Sequence, residues 1–351
     1  VTVLAESREL SASFAPSALN RLLTAVERLP AQGWWIYRLL FVALVLYHHV
    51  SLWLVGGLPA GSWSADGLAG LAYGPYLLFA IHVDIRVAAR AIAEFRPASG
   101  LSDVDYSRAR YELTTLPAGG LWVPAAIGVL IAIGSLLSAS GAAIAPYGGT
   151  RANAFIVFGP ASLFGYVMAA IVTWALVRQL IQVNSLLRRA SALDLYDTAP
   201  IYAFSRLTGL VGVSVVFVAY YTYVANSAFQ VGNVFSLSTI VAAIVGGLAC
   251  FVLPLWGIHD RLVMEKSALV RGANQRAQAL QAELYRRVDA GELTGIDSVT
   301  DAIDGVIATR SLMNRLPTWP WPPEVLRGFV TAVLLPVIVY AITTVVGAQL
   351  D

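Results

Sequence analysis

The chain has 351 residues, 58% apolar and 13% charged, with a mean hydropathy of +0.69 and a net charge of +2. A soluble domain carries about 25% charged residues, so this composition excludes an ordinary water-soluble enzyme and a disordered chain. So small a net charge also gives no hold for nucleic acid. What is left is an all-α polytopic membrane protein, with the lipid bilayer as its first partner.

Residues 1–33 form a polar segment expected on the cytoplasmic side. It has no apolar core of the kind a cleavable signal peptide needs, and Pro16 and Pro30 interrupt it. Within 17–28, Leu19, Leu22, Leu23 and Val26 recur at helical spacing, the pattern of an interfacial amphipathic helix. Six apolar stretches follow inside 34–258, at 36–56, 68–87, 120–140, 160–177, 208–228 and 237–258, and a seventh lies at 325–347. Each is close to the roughly 20 residues that a crossing helix requires. When the connecting segments are assigned to alternate sides, 22 of the 23 basic residues share the side of the N-terminus and Arg151 stands alone on the other. The bias predicts seven helices in the cell (inner) membrane, with the N-terminus in and the C-terminus out.

The outer connections 57–67 and 141–159 are short and rich in Gly, Ser, Ala and Pro. Trp34, Trp35, Trp53, Trp122, Trp319 and Trp321 lie near span ends and read as interfacial anchors. On the inner side the fourth span continues through 178–192. The sixth continues past His259, which reads as a surface residue, to about Asp289, with Leu269, Ala273, Leu280 and Leu284 on one stripe. Gly291 stops that helix, and Thr294-Gly-Ile-Asp297 opens another that ends near Asn314. Residues 259–316 thus form a cytoplasmic helical hairpin. Its apolar stripes pack on each other, on a neighbouring subunit or on a cytoplasmic protein partner. Residues 317–351 are an elbow with four prolines between Leu316 and Glu324, followed by the last span.

Two resemblances rest on these residues. The stretch Trp256-Gly-Ile-His-Asp-Arg-Leu-Val-Met-Glu-Lys266, the hairpin, Thr318-Trp-Pro-Trp-Pro322 and the final span together resemble uncharacterised multi-pass membrane proteins of bacteria, which bring no activity with them. The layout is similar to that of the seven-span ion channels that include insect odorant and gustatory receptors. That resemblance implies a homo-oligomer, a cytoplasmic anchor layer and a last span lining the conduction path. The Thr-Tyr and Gln-Phe pairs of that family's last span are absent here.

Projected at 100° per residue, Phe329, Val333, Pro336, Tyr340, Thr343 and Thr344 share one face of the last span. An apolar inner half and a hydroxyl-bearing outer half suit a conduction path; they equally suit helix packing with the hydroxyls bonded back to their own helix. His82, Asp84 and Arg86 are ionisable residues at membrane depth, each costing about 2.5–3.5 kcal/mol at a helix centre. Asp84 and Arg86 are two apart, so they face different ways and need partners on other helices. They bear on conduction or proton transfer, or they are structural pairs. His48 and His49 lie in the outer half of the first span, roughly 10 Å in depth from His82. They read as hydrogen-bonded residues, with no haem and no metal. Tyr220, Tyr223 and Asn226 line a small-molecule pocket or belong to an aromatic belt.

Nucleotide-binding, metalloprotease and serine-hydrolase motifs are absent from the sequence. The single lysine, Lys266, lies in a polar stretch and offers no embedded Schiff base, and Cys250 is alone. No cofactor and no enzyme activity are expected. The expectation is an oligomeric ion channel or small-solute conductor. The alternative is a non-conducting membrane sensor or partner subunit whose hairpin docks another protein.

Overall fold

The computed structural model describes residues 14–65, 67–138, 144–191, 194–225, 234–292 and 294–350; side chains at 31–32, 219–225, 234–240, 336, 339–340 and 343–350 are outside that description. Among the described residues every regular element is a helix. In chain order these are α1 (Ala18–Glu27), α2 (Trp35–Leu54), α3 (Leu68–Ser99), α4 (Asp103–Thr114), α5 (Trp122–Ser138), α6 (Arg151–Arg189), α7 (Thr198–Tyr202), α8 (Ser205–Ala225), α9 (Val234–Ala290), α10 (Ile296–Asn314) and α11 (Pro323–Leu350). Six stretches are long and apolar enough to cross a membrane: Trp35–Leu54, Leu68–Ser99, Ala118–Ser138, Arg151–Arg189, Thr198–Val218 and Val241–Ala290. They correspond to the first six spans read from the sequence, and α11 occupies the place of the seventh.

The fourth crossing helix starts nine residues earlier than the expected 160–177. Thr150 accepts a hydrogen bond from Asn153 N (3.2 Å), which starts α6 in what reads as loop, and Pro160 lies inside the helix. A proline cannot donate to the carbonyl four residues back, which here belongs to Ile156. The Tyr47 hydroxyl on α2 donates to that carbonyl at 2.6 Å. A neighbouring helix therefore supplies the bond that Pro160 withdraws, as a lipid environment demands.

Helices α8 and α9 meet through glycine, as their small residues predict. A Cβ on Gly212 would lie 2.7 Å from the Gly247 carbonyl oxygen, and one on Gly247 would lie 2.9 Å from that of Gly212. Neither position has room for a side chain.

Beyond the spans, α3, α6, α8 and α9 run on into a second packed layer. Ile92, Phe95, Leu187, Phe204, Leu255 and Leu262 are buried together there. Two helices in this layer escape the apolar pattern. Helix α4 is capped by Ser102, which accepts from Asp105 N at 3.2 Å, and it buries Tyr106 and Leu113. The short α7 is capped by Asp197.

Helix α9 has 57 residues, about 85 Å at 1.5 Å per residue, far more than the roughly 30 Å of hydrocarbon. Its extension packs on α10, with Ala273, Val299 and Ile303 buried. Of the partners open to the hairpin stripes, these residues take each other. Gly295, at φ +81°, precedes α10 with no capping side chain, so the Thr294 pattern is not used as a cap.

Three residues of α9 tie the layer together by taking free carbonyls from other elements. Arg261 donates to Ala190 O beyond the end of α6 and lies 3.4 Å from Leu187 O. Lys266 donates to Asn314 O (2.7 Å) and Leu316 O (2.8 Å) at the end of α10. His259 Nδ1 bonds Thr318 O at 2.7 Å, and its ring stacks on Trp319 at 3.8 Å. His259 is thus a latch for the elbow, not the surface residue expected. The stack runs on through Trp321 and Phe251 to Phe329, so these two tryptophans serve the elbow more than the headgroups.

The Tyr47 bond is separable by a double-mutant cycle. Tyr47→Phe is expected to lower unfolding stability in mixed micelles by about 1 kcal/mol. In a Pro160→Ala background the same change should cost little, because residue 160 then bonds Ile156 itself. An equal cost in both backgrounds would place the tyrosine's contribution elsewhere.

Candidate functional site

Helix α3 carries its polar residues on two opposed faces near the inner end of its span. His82 and Arg86, four apart, share one face; Asp84 lies two residues from each and points the other way.

The first face meets α1. Ser17 caps that helix by accepting from Asn20 N (3.1 Å). The segment before it is tied to the α4–α5 connection by Ser17 N to Leu116 O (2.8 Å) and Ala118 N to Ala15 O (2.9 Å). Leu23 and Val26 are buried against Tyr37, Leu78 and Ile81, which docks on the bundle the helix that the sequence reads as interfacial and amphipathic. Its last residue, Glu27, then reaches His82 Nε2 (3.2 Å) and Arg86 Nε (3.8 Å). The Tyr37 hydroxyl bonds His82 Nδ1. With the proton on Nε2, Tyr37 donates to the ring and the ring donates to Glu27. Trp34 stacks on His82 at 5.2 Å, and the Arg86 guanidinium lies 5.2 Å from the Trp34 ring. Trp34 is therefore spent inside the protein. His82 and Arg86 are fully engaged as a structural clamp.

The second face has no such partner among the described residues. Asp84 is 3% exposed, and neither of its carboxylate oxygens has a hydrogen bond of good geometry. The polar group beside it is the Gln179 side chain on α6. That amide's nitrogen already donates to Leu113 O at 3.4 Å, and its oxygen is itself unpartnered. Asp84 lines a cavity of about 220 Å³ between α3, α6 and α8, whose hydroxyl-bearing walls are Tyr73, Tyr76, Thr173 and Ser214. Tyr73 is eleven residues from Asp84 along α3, about 16 Å, so Asp84 lies at the inner end of an elongated, mostly apolar space.

The outer histidines are enclosed separately. With its proton on Nδ1, His49 donates to Val45 O (2.9 Å) and accepts from Ser64 N (3.3 Å). Trp63 covers the ring at 4.5 Å, and Trp53 donates to Ser62 O at 2.8 Å. The 57–67 connection is folded over the end of α2 by these bonds. His48 is buried beside Phe158 and does not meet His82. Among the described residues no group of three His, Cys, Asp or Glu side chains is placed to hold a metal ion.

On α11, Phe329 is 3% exposed, stacked on Phe251 at 4.1 Å and close to Gly212. Val333 is half-buried. The inner end of the expected conduction face is thus turned into the protein. The side chains of Pro336, Tyr340, Thr343 and Thr344 lie outside the described residues, as do those of Tyr220 and Tyr223 and the whole of Asn226. The residues that sequence reasoning missed are Glu27, Tyr37, Gln179 and Ser214. The last two stand out in hindsight as polar residues in apolar helices.

Compared with protein-family models, with curated proteins and with solved structures, the chain matches none.

The clamp is testable by hydrogen exchange. Glu27→Ala removes both contacts from α1 and is expected to speed amide exchange over 18–27 on the order of tenfold. Unchanged exchange would mean that Leu23 and Val26 hold the helix alone.

Proposed function

We propose that the protein crosses the cell (inner) membrane seven times, with the N-terminus cytoplasmic and the C-terminus outside, and that it passes an ion or small solute. The observation that supports conduction best is Asp84, a charged-type group at membrane depth on the wall of a cavity, with no cation paired to it among the described residues. An ionisable group in a span that serves structure is paired, as Arg86 is with Glu27; one left without a charged partner beside a cavity marks a pathway or a binding site.

The seventh crossing is supported by the 28 residues of α11, about 42 Å of helix. The orientation rests on the 22 basic residues on one side. Association into a homo-oligomer is supported by the exposed row Leu326, Val330, Leu334, Ile338 and Ile342 on α11, a face that lipid or a second copy must cover. Of the two routes, the cavity at Asp84 is favoured over the α11 face, because Phe329 is used in packing. The sensor reading, in which the hairpin docks a cytoplasmic protein, is supported by Tyr285, Val288, Ile307 and Leu312, which the hairpin leaves exposed.

Flux into proteoliposomes of the purified full chain separates these readings. Uptake of potassium or methylammonium above that of empty liposomes is expected, and Asp84→Asn should reduce it on the order of tenfold. Silent liposomes would remove the conducting reading and leave the sensor, whereas full flux through Asp84→Asn would remove Asp84 from the route.

A further inference from the structure

We infer that the cavity between α3, α6 and α8 is a binding site for a small organic monocation with an apolar body, its ammonium group on Asp84. This inference rests on reading that cavity as the solute site.

The argument starts from what the cavity lacks. An acid 97% removed from solvent, with neither oxygen properly bonded, is costly in any charged state unless a cation or donor arrives. Gln179, the polar group beside it, is a neutral amide that also bonds Leu113 O, so it brings no charge to the acid. Among the described residues no cation pairs with Asp84, and one arriving from outside the chain would have to carry donors.

The rest of the wall selects its body. Leu77, Ile81, Val172, Leu210, Val211 and Val215 surround the space above Asp84, and none of them replaces a hydration shell. A bare metal cation at Asp84 would find one carboxylate, with the Tyr73 and Tyr76 positions two to three helical turns away and only the hydroxyls of Thr173 and Ser214 besides, whereas such cations take about six or more oxygen ligands. An ammonium needs only a few acceptors, and its hydrocarbon gains from the apolar wall. The rings of Tyr73 and Tyr76, two to three helical turns from Asp84, offer faces for an aromatic body rather than for the ammonium. Tyr76 is held there by Ser214 and by Phe217, 5.2 Å away.

Size and access agree. At about 220 Å³ the space exceeds the roughly 150 Å³ that admits benzene into an apolar cavity. Thr173, on the wall, is exposed on the side of the bundle, so the opening lies along the membrane-facing surface. A lipophilic amine, which partitions into the interface, reaches such an opening more readily than a hydrated ion does.

The test is equilibrium binding of radiolabelled phenethylamine to the full-length protein in phosphatidylcholine nanodiscs, at a pH where the amine is charged. Saturable binding at one site per chain is expected. Unlabelled phenethylamine should compete, and phenethyl alcohol, its uncharged analogue, should compete at least on the order of tenfold less well. Asp84→Asn should weaken binding on a similar scale. Val211→Trp, which fills the cavity and spares the acid, should abolish it. Equal competition by the alcohol, undiminished binding to Asp84→Asn, or no saturable binding would overturn the inference, and the competition arm needs no variant to fold. Binding without flux would keep the site and remove the conducting reading; flux of potassium without amine binding would do the reverse.

Discussion

Inside a bilayer a polar group has no water to turn to, and the arrangement of this chain follows from that constraint. Pro160 withdraws a donor from α6, and Tyr47 replaces it from α2. The ring of His49 is closed over by the connection that leaves its own helix. Near and beyond the inner boundary, where helices end, α9 sends His259, Arg261 and Lys266 to the free carbonyls of three other segments. A helix of 57 residues would be hard to justify by membrane crossing alone; its extension is the strip on which the ends of α6, α10 and the elbow are fastened.

Against this background the exceptions carry the information. His48, Ser162, Gln179 and Trp321 each leave one buried neutral atom unbonded. Among the described residues Asp84 alone leaves an acid. Two residues away on the same helix, Arg86 shows the ordinary outcome, a carboxylate at 3.8 Å and a tryptophan beneath its guanidinium. The helical twist separates the two: one face of α3 is closed by α1 and α2, while the other opens on the space that α6 and α8 leave between them. Local sequence puts both charges at the same depth, and packing gives one a partner and the other a cavity.

What could be read from the sequence follows the range of the forces involved. Spans, their order and the hairpin depend on periodicity and composition, which are local, and the six apolar stretches of 34–258 all appear as helices. The start of α6 and the helix α4 were missed because a single capping hydroxyl, on Thr150 and Ser102, decides them where the apolar pattern is silent. The site was half legible. His82, Asp84 and Arg86 announce themselves by being charged in an apolar run. Their division into clamp and cavity rests on Glu27, 55 residues from His82, and on α6 and α8, whose approach no spacing rule encodes. The choice between path and packing at Phe329 was open for the same reason: a helical wheel shows which residues share a face, but not what that face meets.

The central claim is that the acid on α3 faces a space built for a cation from outside the chain. An electron cryo-microscopy map of the protein in lipid nanodiscs with phenethylamine addresses it most directly. The account predicts density for one ligand between α3, α6 and α8, its nitrogen beside the Asp84 carboxylate. A map in which Asp84 is paired with an arginine of its own chain, or in which side chains close the cavity, would contradict it.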